Sequence, residues 1–141
     1  MLDSQEILAK RVAEKYHAGQ VDKGGNPYIS HPAAVASSVS TDEEKAVAWL
    51  HDVLEDTSCS LEELKAFGFS DSVLDAVVVL TRDKDEDYFD YIKRLQKNRL
   101  ARVVKIADLK NNCDLTRIKN PGEADYKRIE KYKAALKMLK A

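Results

Sequence analysis

Residues 49–56 read WLHDVLED, and the rest of the chain is interpreted around them. Each residue of a helix turns by about 100°, so Glu55, Asp52 and Asp56 fall at roughly 40°, 100° and 140° from His51. The apolar residues of the stretch fill the remaining arc, which predicts an amphipathic helix. One face of this helix is expected to enter a core, while the other carries one imidazole and three carboxylates.

Three carboxylates at this spacing repel one another and resist ionisation unless a positive charge lies nearby. A bound cation is the simplest source of that charge. The alternative is the solvated polar face of an ordinary surface helix, which would suit a generic Glu/Asp pair. His51 and Asp52 favour the cation, because they offer one nitrogen and one oxygen ligand on the same arc. The stretch therefore leads to the hypothesis of a metal site.

The composition describes an ordinary globular protein. The chain has 141 residues, 44% of them hydrophobic and 33% charged, with a net charge of −1. We expect one domain, residues 1–141, that interacts with neither nucleic acid nor a membrane, because the charge is balanced and no apolar run approaches the ~20 residues of a membrane span. Cys59 and Cys113 match no paired metal or disulfide spacing, and the N-terminus does not resemble a signal peptide, so we expect a cytoplasmic protein.

Helix signals recur along the whole chain. The loop Gly19–Ser30, Gly68 and the pair at residues 121–122 interrupt regular structure. Capping residues followed three positions later by Glu predict helix starts at Asp3, Thr41 and Ser60, and Ser70 is a further cap. No strand alternation persists, so we predict an all-α domain of about seven to eight helices.

Two segments leave alternatives open. The apolar run from Val73 to Leu80 has the composition of a strand, although its Ser70 cap and Ala76 favour a helix. In the last helix, the stripe that begins at Ile129 is expected to pack either on the domain or on a second copy of the chain. A homodimer is therefore a possible assembly.

Three separated groups of residues could meet in space. They are His31 after the Gly-rich loop, the His51–Asp52 pair, and Asp108 with Asn112 one helical turn later. Taken singly, His31 is equally well explained as a helix-start residue bonded to the backbone, and Asp108 is better explained as a surface carboxylate or a salt-bridge partner of Lys105. Together, two imidazoles and two carboxylates form a mixed nitrogen and oxygen site that could bind a metal and activate water.

The sequence motifs that contain these residues resemble those of a known protein family. They are GNPYISHP at residues 25–32, LHDVLEDT at 50–57 and VKIAD at 104–108, followed by Asn112. In this order they resemble the hydrolase domain of the RelA/SpoT family, a group of HD-domain metal-dependent phosphohydrolases. The small stand-alone hydrolases of that family are similar in length.

The resemblance implies an all-helical HD fold and one divalent ion, most often manganese. It also implies hydrolysis of the 3′-pyrophosphate of (p)ppGpp to give GDP or GTP and pyrophosphate. Transferred position by position, the ligands would be His31, His51, Asp52 and Asp108. Glu55 and Asp56 match a pair thought to position or activate the attacking water. Lys23, Tyr28 and Asn112 are the expected substrate-binding residues.

The sequence departs from the family at two cationic positions. Asp22 stands where the family usually has Arg, and Asp114 stands where it commonly has Arg. Their loss is expected to weaken recognition of a pyrophosphate group. Other basic residues are candidates to replace them, namely Arg82, Lys84, Lys110 and Arg117.

These departures leave three alternatives beside the leading hypothesis. The first is an HD phosphohydrolase that acts on another nucleotide or phosphate ester. The second is a regulatory module that binds a metal and a nucleotide without cleavage, although it would have no need of both Glu55 and Asp56. The third is a purely structural helical domain.

Overall fold

The computed structural model describes residues 4–22, 24–114, 116, 118 and 120–140. Among them it contains nine helical segments. In chain order these are α1 Gln5–Tyr16, α2 Ser30–Ser37, α3 Asp42–Leu50, α4 Val53–Asp56, α5 Leu61–Phe67, α6 Asp71–Leu80, α7 Tyr88–Leu95, α8 Arg99–Asn112 and α9 Glu123–Lys140. Because α4 is a single turn that continues α3 after a break, the segments amount to eight helices, in agreement with the predicted seven to eight.

Several helices begin at the capping residues that the sequence predicted. Thr41 and Ser60 each form a complete capping box with the Glu three residues later. The Ser70 hydroxyl accepts the Val73 N–H at the start of α6, which is a helix rather than a strand. The predicted cap Asp3 lies outside the described residues, and the structure corrects that prediction, since Ser4 is the cap of α1.

The prediction of one continuous helix through residues 49–56 is wrong. Helix α3 ends at Leu50, and Asp52 has φ −108° and ψ 1°, outside helical values. The reason lies in the side chain of His51, whose Nδ1 is 2.6 Å from the Ala48 carbonyl oxygen. A continuous helix would offer that carbonyl to the Asp52 N–H. The break places His51 and Asp52 in a turn between two helices.

Helix α3 lies at the centre of the bundle and packs against α1, α2, α6 and α8. Its C-terminal half is buried from Ala46 to Leu50. This central position fixes His51 and Asp52, which follow it directly, against α8. Helix α9 packs on α7 and α8, with Ile129, Ala135 and Leu139 buried, so its apolar stripe faces the domain rather than solvent.

The described residues form no strand, and their only extended pairing is an isolated bridge between Val21 and Pro27 within the Gly-rich loop. The prediction of an all-α fold is thus confirmed. None of the helices within the described ranges has the length and apolar character needed to cross a membrane.

Candidate metal centre

The three predicted groups converge at one buried point between α2, α3 and α8. The Nε2 atom of His31 lies 2.8 Å from Oδ1 of Asp108, and Nε2 of His51 lies 3.3 Å from the same oxygen. The Nε2 atom of His51 also lies 3.1 Å from Oδ2 of Asp52. Residues 77 positions apart in sequence thus share one polar cluster inside an apolar core.

Hydrogen bonds at the far side of each ring orient both histidines. The Nδ1 atom of His31 is 2.6 Å from Oδ1 of Asn111, and that of His51 is 2.6 Å from the Ala48 carbonyl. Both partners are oxygen acceptors, so each Nδ1 carries the proton. In the neutral rings, each Nε2 therefore directs a lone pair at Asp108.

Two lone pairs aimed at one carboxylate oxygen repel it unless a positive charge lies between them. The Nε2 atom of His51 is buried and has no hydrogen-bond partner among the described residues. A divalent cation would use both lone pairs and the carboxylate at once, and metal-bound histidines commonly donate their other N–H to an oxygen. The donor set thus fits a metal ion.

The charges clustered in this site also shift the pKa values of its titratable groups. Although burial works against it, the Asp52 and Asp108 carboxylates raise the pKa of His51 well above its ordinary value. Burial likewise opposes ionisation of Asp108, but Lys105 and His51 hold its pKa well below the usual range. Lys105 reaches Oδ2 of Asp108 at 3.0 Å, so Asp108 is a salt-bridge member as well as part of the cluster, and it is buried rather than a surface carboxylate. The site favours one additional positive charge.

A second group of carboxylates adjoins the first. Asp52, Glu55 and Asp56 place oxygen atoms within 4.8 Å of one another. Burial and the charges of Asp52 and Glu55 raise the pKa of Asp56 to about 6, and its carboxylate makes no hydrogen bond among the described residues. The Oε1 atom of Glu55, in contrast, accepts the Arg82 N–H at 2.8 Å. The pair is therefore unequal, since the pKa of the Asp56 carboxylate is raised whereas Glu55 anchors a loop.

Of the three predicted substrate-binding residues, two lie beside the centre. The hydroxyl of Tyr28 donates to Oδ2 of Asp52, and Nδ2 of Asn112 donates to Oδ1 of Asp108 at 3.0 Å. Both side chains also face open space next to the histidines. Lys23 lies outside the described residues.

Sequence reasoning missed two supporting residues. Asn111 orients His31, but nothing in the sequence distinguishes it from its neighbour Asn112. Gln20 links the Gly-rich loop to α4, because its Oε1 is 2.9 Å from Nδ1 of His17 and its Nε2 donates to the Asp56 carbonyl at 3.1 Å. A polar residue just after the first helix is too common a feature to have marked it.

Two cavities adjoin the cluster. Cavity A, of about 460 Å³, is lined by Asp22, Tyr28, His31, Asp56, Asp114 and Arg128 among others. Cavity B, of about 260 Å³, is lined by Glu55, Arg82, Tyr88, Lys105 and Lys131 among others. Asp52, Asn112 and Tyr132 line both, so a molecule that passes the metal centre would contact both cavities.

The two acidic departures from the family both face cavity A, and both also organise loops. Oδ1 of Asp22 accepts the N–H groups of Gly24 and Asn26 at 2.8 and 3.0 Å. Oδ1 of Asp114 accepts the N–H and hydroxyl of Thr116 at 3.0 and 2.6 Å. Their negative charge nevertheless borders the cavity.

An all-helical bundle with a buried cluster of two histidines and Asp108, beside the half-buried Asp52, defines a class of metal-dependent domain. Comparison with known families identifies it, because the HD domain family matches residues 9–111. The chain belongs to the HD domain family.

Several curated proteins show which members of the family this chain is similar to. The chain is 36% identical over 115 residues to the guanosine-3′,5′-bis(diphosphate) 3′-pyrophosphohydrolase of Haemophilus influenzae, a match that covers 72% of this chain and 17% of that one. It is 32% identical over 117 residues to the bifunctional (p)ppGpp synthase/hydrolase SpoT of Escherichia coli, covering 72% and 16%. The GTP pyrophosphokinase of Streptomyces coelicolor is 35% identical over 117 residues, covering 74% and 14%.

The matched region is thus about a sixth of the length of these relatives. Among solved structures, one described as a metazoan ortholog of SpoT that hydrolyses ppGpp superposes with a TM-score of 0.80. The two chains are 20% identical, and the superposition covers 99% of this chain and 86% of the other. This similarity shows that the two chains share a fold.

Proposed function

We propose that this protein is a metal-dependent hydrolase of (p)ppGpp-like guanosine nucleotides, which it converts to GDP or GTP and pyrophosphate. The observation that carries the proposal is the convergence of both Nε2 atoms on Asp108, beside the carboxylates of Glu55 and Asp56. The names of the relatives support the substrate class, since several of them act on guanosine 3′,5′-bis(diphosphate).

His31, His51, Asp52 and Asp108 would hold the ion, with Asn111 and the Ala48 carbonyl orienting the two rings. When bound, the ion would polarise the phosphoryl oxygens and make a nearby water more acidic. We propose manganese as the working ion. Two imidazoles and two carboxylates also suit iron or zinc, so a comparison of metals is part of the test.

Asp56 is the proposed general base. Its raised pKa, of about 6, makes it a better proton acceptor than an ordinary Asp, and it lies next to Asp52. It would accept a proton from the attacking water, whose oxygen forms a bond to the phosphorus while the bond from phosphorus to the ribose 3′ oxygen breaks. The ribose oxygen then gains a proton. Glu55 would hold the water in position through its second oxygen.

The nucleoside would occupy the larger cavity A. Tyr28 lies between the rings of His17 and His31, with centroid distances of 4.9 and 5.8 Å, so its position is fixed for contact with a ligand. Asn112 borders both cavities and would contact the ribose near the bond that is cleaved. Lys23 remains a proposed phosphate contact on the loop that precedes Tyr28.

The test is a panel of nucleotides incubated with purified protein and manganese, iron, zinc or magnesium. Pyrophosphate release from ppGpp that is fastest with manganese, and lost in His51→Ala, would support the proposal. If the protein leaves ppGpp unchanged but hydrolyses another nucleotide, the result would instead support the second candidate function, which is the hydrolysis of a less charged phosphate ester. Asp22 and Asp114 favour that candidate, because both place negative charge at cavity A.

Metal binding is expected to stabilise the fold more as the pH rises from 6 to 8. The pKa of His51 in the metal-free fold lies well above its unfolded value near 6.5. Protonation of His51 therefore contributes its full stabilisation at pH values below the unfolded pKa. This contribution is lost as the pH rises through the folded pKa. The metal ion would bind Nε2 of His51 in place of this proton. The increase in Tm caused by manganese should therefore grow as the pH rises from 6 to 8.

The measurement is the difference in Tm with manganese and with a chelator, at each pH. His51→Ala should show a small difference with no trend, whereas replacement of the exposed Glu62 by Ala should behave like the wild type. A Tm increase that is equal at pH 6 and pH 8 would argue against His51 as the shared site of proton and metal.

A further inference from the structure

We propose that cavity B is the phosphate-binding site of this enzyme, with Lys131 and Arg82 as its specificity-determining cations and the Tyr88 hydroxyl as a donor to the same anion. The inference rests on the proposed function, because it assigns the terminal pyrophosphate of the nucleotide to this cavity. It also names the residues that replace the cations missing at positions 22 and 114.

Three cations, Arg82, Lys105 and Lys131, line cavity B together with three carboxylates, Asp52, Glu55 and Asp108. Asp108 pairs with Lys105, and both Asp52 and Asp108 are proposed ligands of the metal ion, so Arg82 and Lys131 are the cations left to meet an anion. Lys131 forms no ion pair within the described part of the chain. The guanidinium of Arg82 donates to the Glu86 carbonyl at 3.0 and 2.7 Å rather than to a carboxylate. Burial and the charges of Arg82, Arg128 and Lys105 lower the pKa of Lys131.

Tyrosine rings hold these two cations over the cavity. The Nζ atom of Lys131 lies 4.5 Å from the centre of the Tyr88 ring, and the guanidinium carbon of Arg82 lies 5.6 Å from it. Cation–π contacts of this kind orient a flexible side chain without neutralising its charge. Both charges therefore remain available to a ligand.

The Tyr88 hydroxyl provides a second, independent observation. Its oxygen is buried and makes no hydrogen bond to any described residue. A buried hydroxyl without a partner is unfavourable, and most such groups in folded proteins are satisfied. Among ligands that fit a cationic cavity, a phosphate oxygen would accept this hydrogen bond.

Cavity A is the poorer choice for the pyrophosphate. Asp22, Asp56 and Asp114 line it, and its cation Arg128 is paired with Asp125 at 3.0 Å. Cavity B also adjoins the reaction centre directly, because Glu55 lines it and accepts the N–H of Arg82. A nucleoside in cavity A and a pyrophosphate in cavity B would place the scissile bond beside the shared wall of Asp52 and Asn112.

The experiment measures the binding of inorganic pyrophosphate by calorimetry, with manganese in excess, together with KM and kcat for ppGpp. Lys131→Met is compared with Lys131→Arg and with Lys127→Met, an exposed lysine one turn earlier on α9 that pairs with Glu123. Lys131→Met should weaken pyrophosphate binding and raise KM about tenfold or more, with little change in kcat. Lys131→Arg should retain most of the affinity, and Lys127→Met should resemble the wild type.

Failure of this inference differs from failure of the proposed function. If the wild type hydrolyses ppGpp but Lys131→Met binds pyrophosphate and turns over like Lys127→Met, the assignment of cavity B is overturned while the function stands. If ppGpp is not hydrolysed but pyrophosphate binds in a manner that depends on Lys131, cavity B stands as an anion site and the function falls. Tyr88→Phe should weaken pyrophosphate binding by a smaller factor than Lys131→Met.

Discussion

Replacement of Asp108 by Ala is expected to abolish metal binding and to lower the free energy of unfolding by about 3–5 kcal/mol. Asp108 is the carboxylate on which His31, His51 and Lys105 all converge. Its loss removes a proposed ligand and also leaves the ammonium of Lys105, a side chain only 14% exposed, without its partner. Denaturant unfolding and metal analysis of the purified variant measure the two effects.

A double variant separates the two effects. In Asp108→Ala combined with Lys105→Met, no uncompensated lysine charge remains, so much of the lost stability should return while metal binding stays absent. Asp90→Ala, at an exposed position on α7, serves as the matched control and should change neither property. Retention of metal at wild-type affinity in Asp108→Ala would show that the ligand set is wrong.

Replacement of Asp56 by Asn is expected to lower kcat by about 10²–10⁴-fold while metal binding is retained, since general bases contribute factors of that size. Asn preserves the shape of the side chain but cannot accept the proton. Glu55→Gln should have an effect at least about tenfold smaller, because Gln keeps the oxygen that accepts the Arg82 N–H.

Steady-state kinetics with ppGpp, together with metal content, check this order. Equal losses in the two variants would indicate that the carboxylates act as one unit. A larger loss in Glu55→Gln would assign the base to Glu55 instead. Far-ultraviolet circular dichroism of each variant confirms that the helices remain intact.

Much of the fold could be predicted because helix starts depend on residues three or four positions apart. Thr41, Ser60 and Ser70 each form their cap with a residue three positions later, so the sequence specifies these helices before any packing occurs. The residue types of the candidate site could also be predicted, because the sequence alone shows the order of His31, His51–Asp52 and Asp108.

What the sequence could not show is which residues meet, because those contacts join distant parts of the chain. Helical periodicity put His51, Asp52, Glu55 and Asp56 on one continuous face, but the bond from His51 to Ala48 breaks that helix and divides them into two groups. Asn111 and Asn112 are neighbours, and only the packing of α8 against α2 turns Asn111 towards His31, 80 residues away.

The sequence by itself determined an all-helical HD domain and the residue types of the candidate metal centre. The tertiary structure alone decided how charge is distributed around that centre. Lys131 lies in a helix far along the chain from Arg82 and Tyr88, and it reaches cavity B only because α9 packs on α7 and α8. Local interactions specify helices, whereas the position of a charge relative to a site depends on how those helices pack.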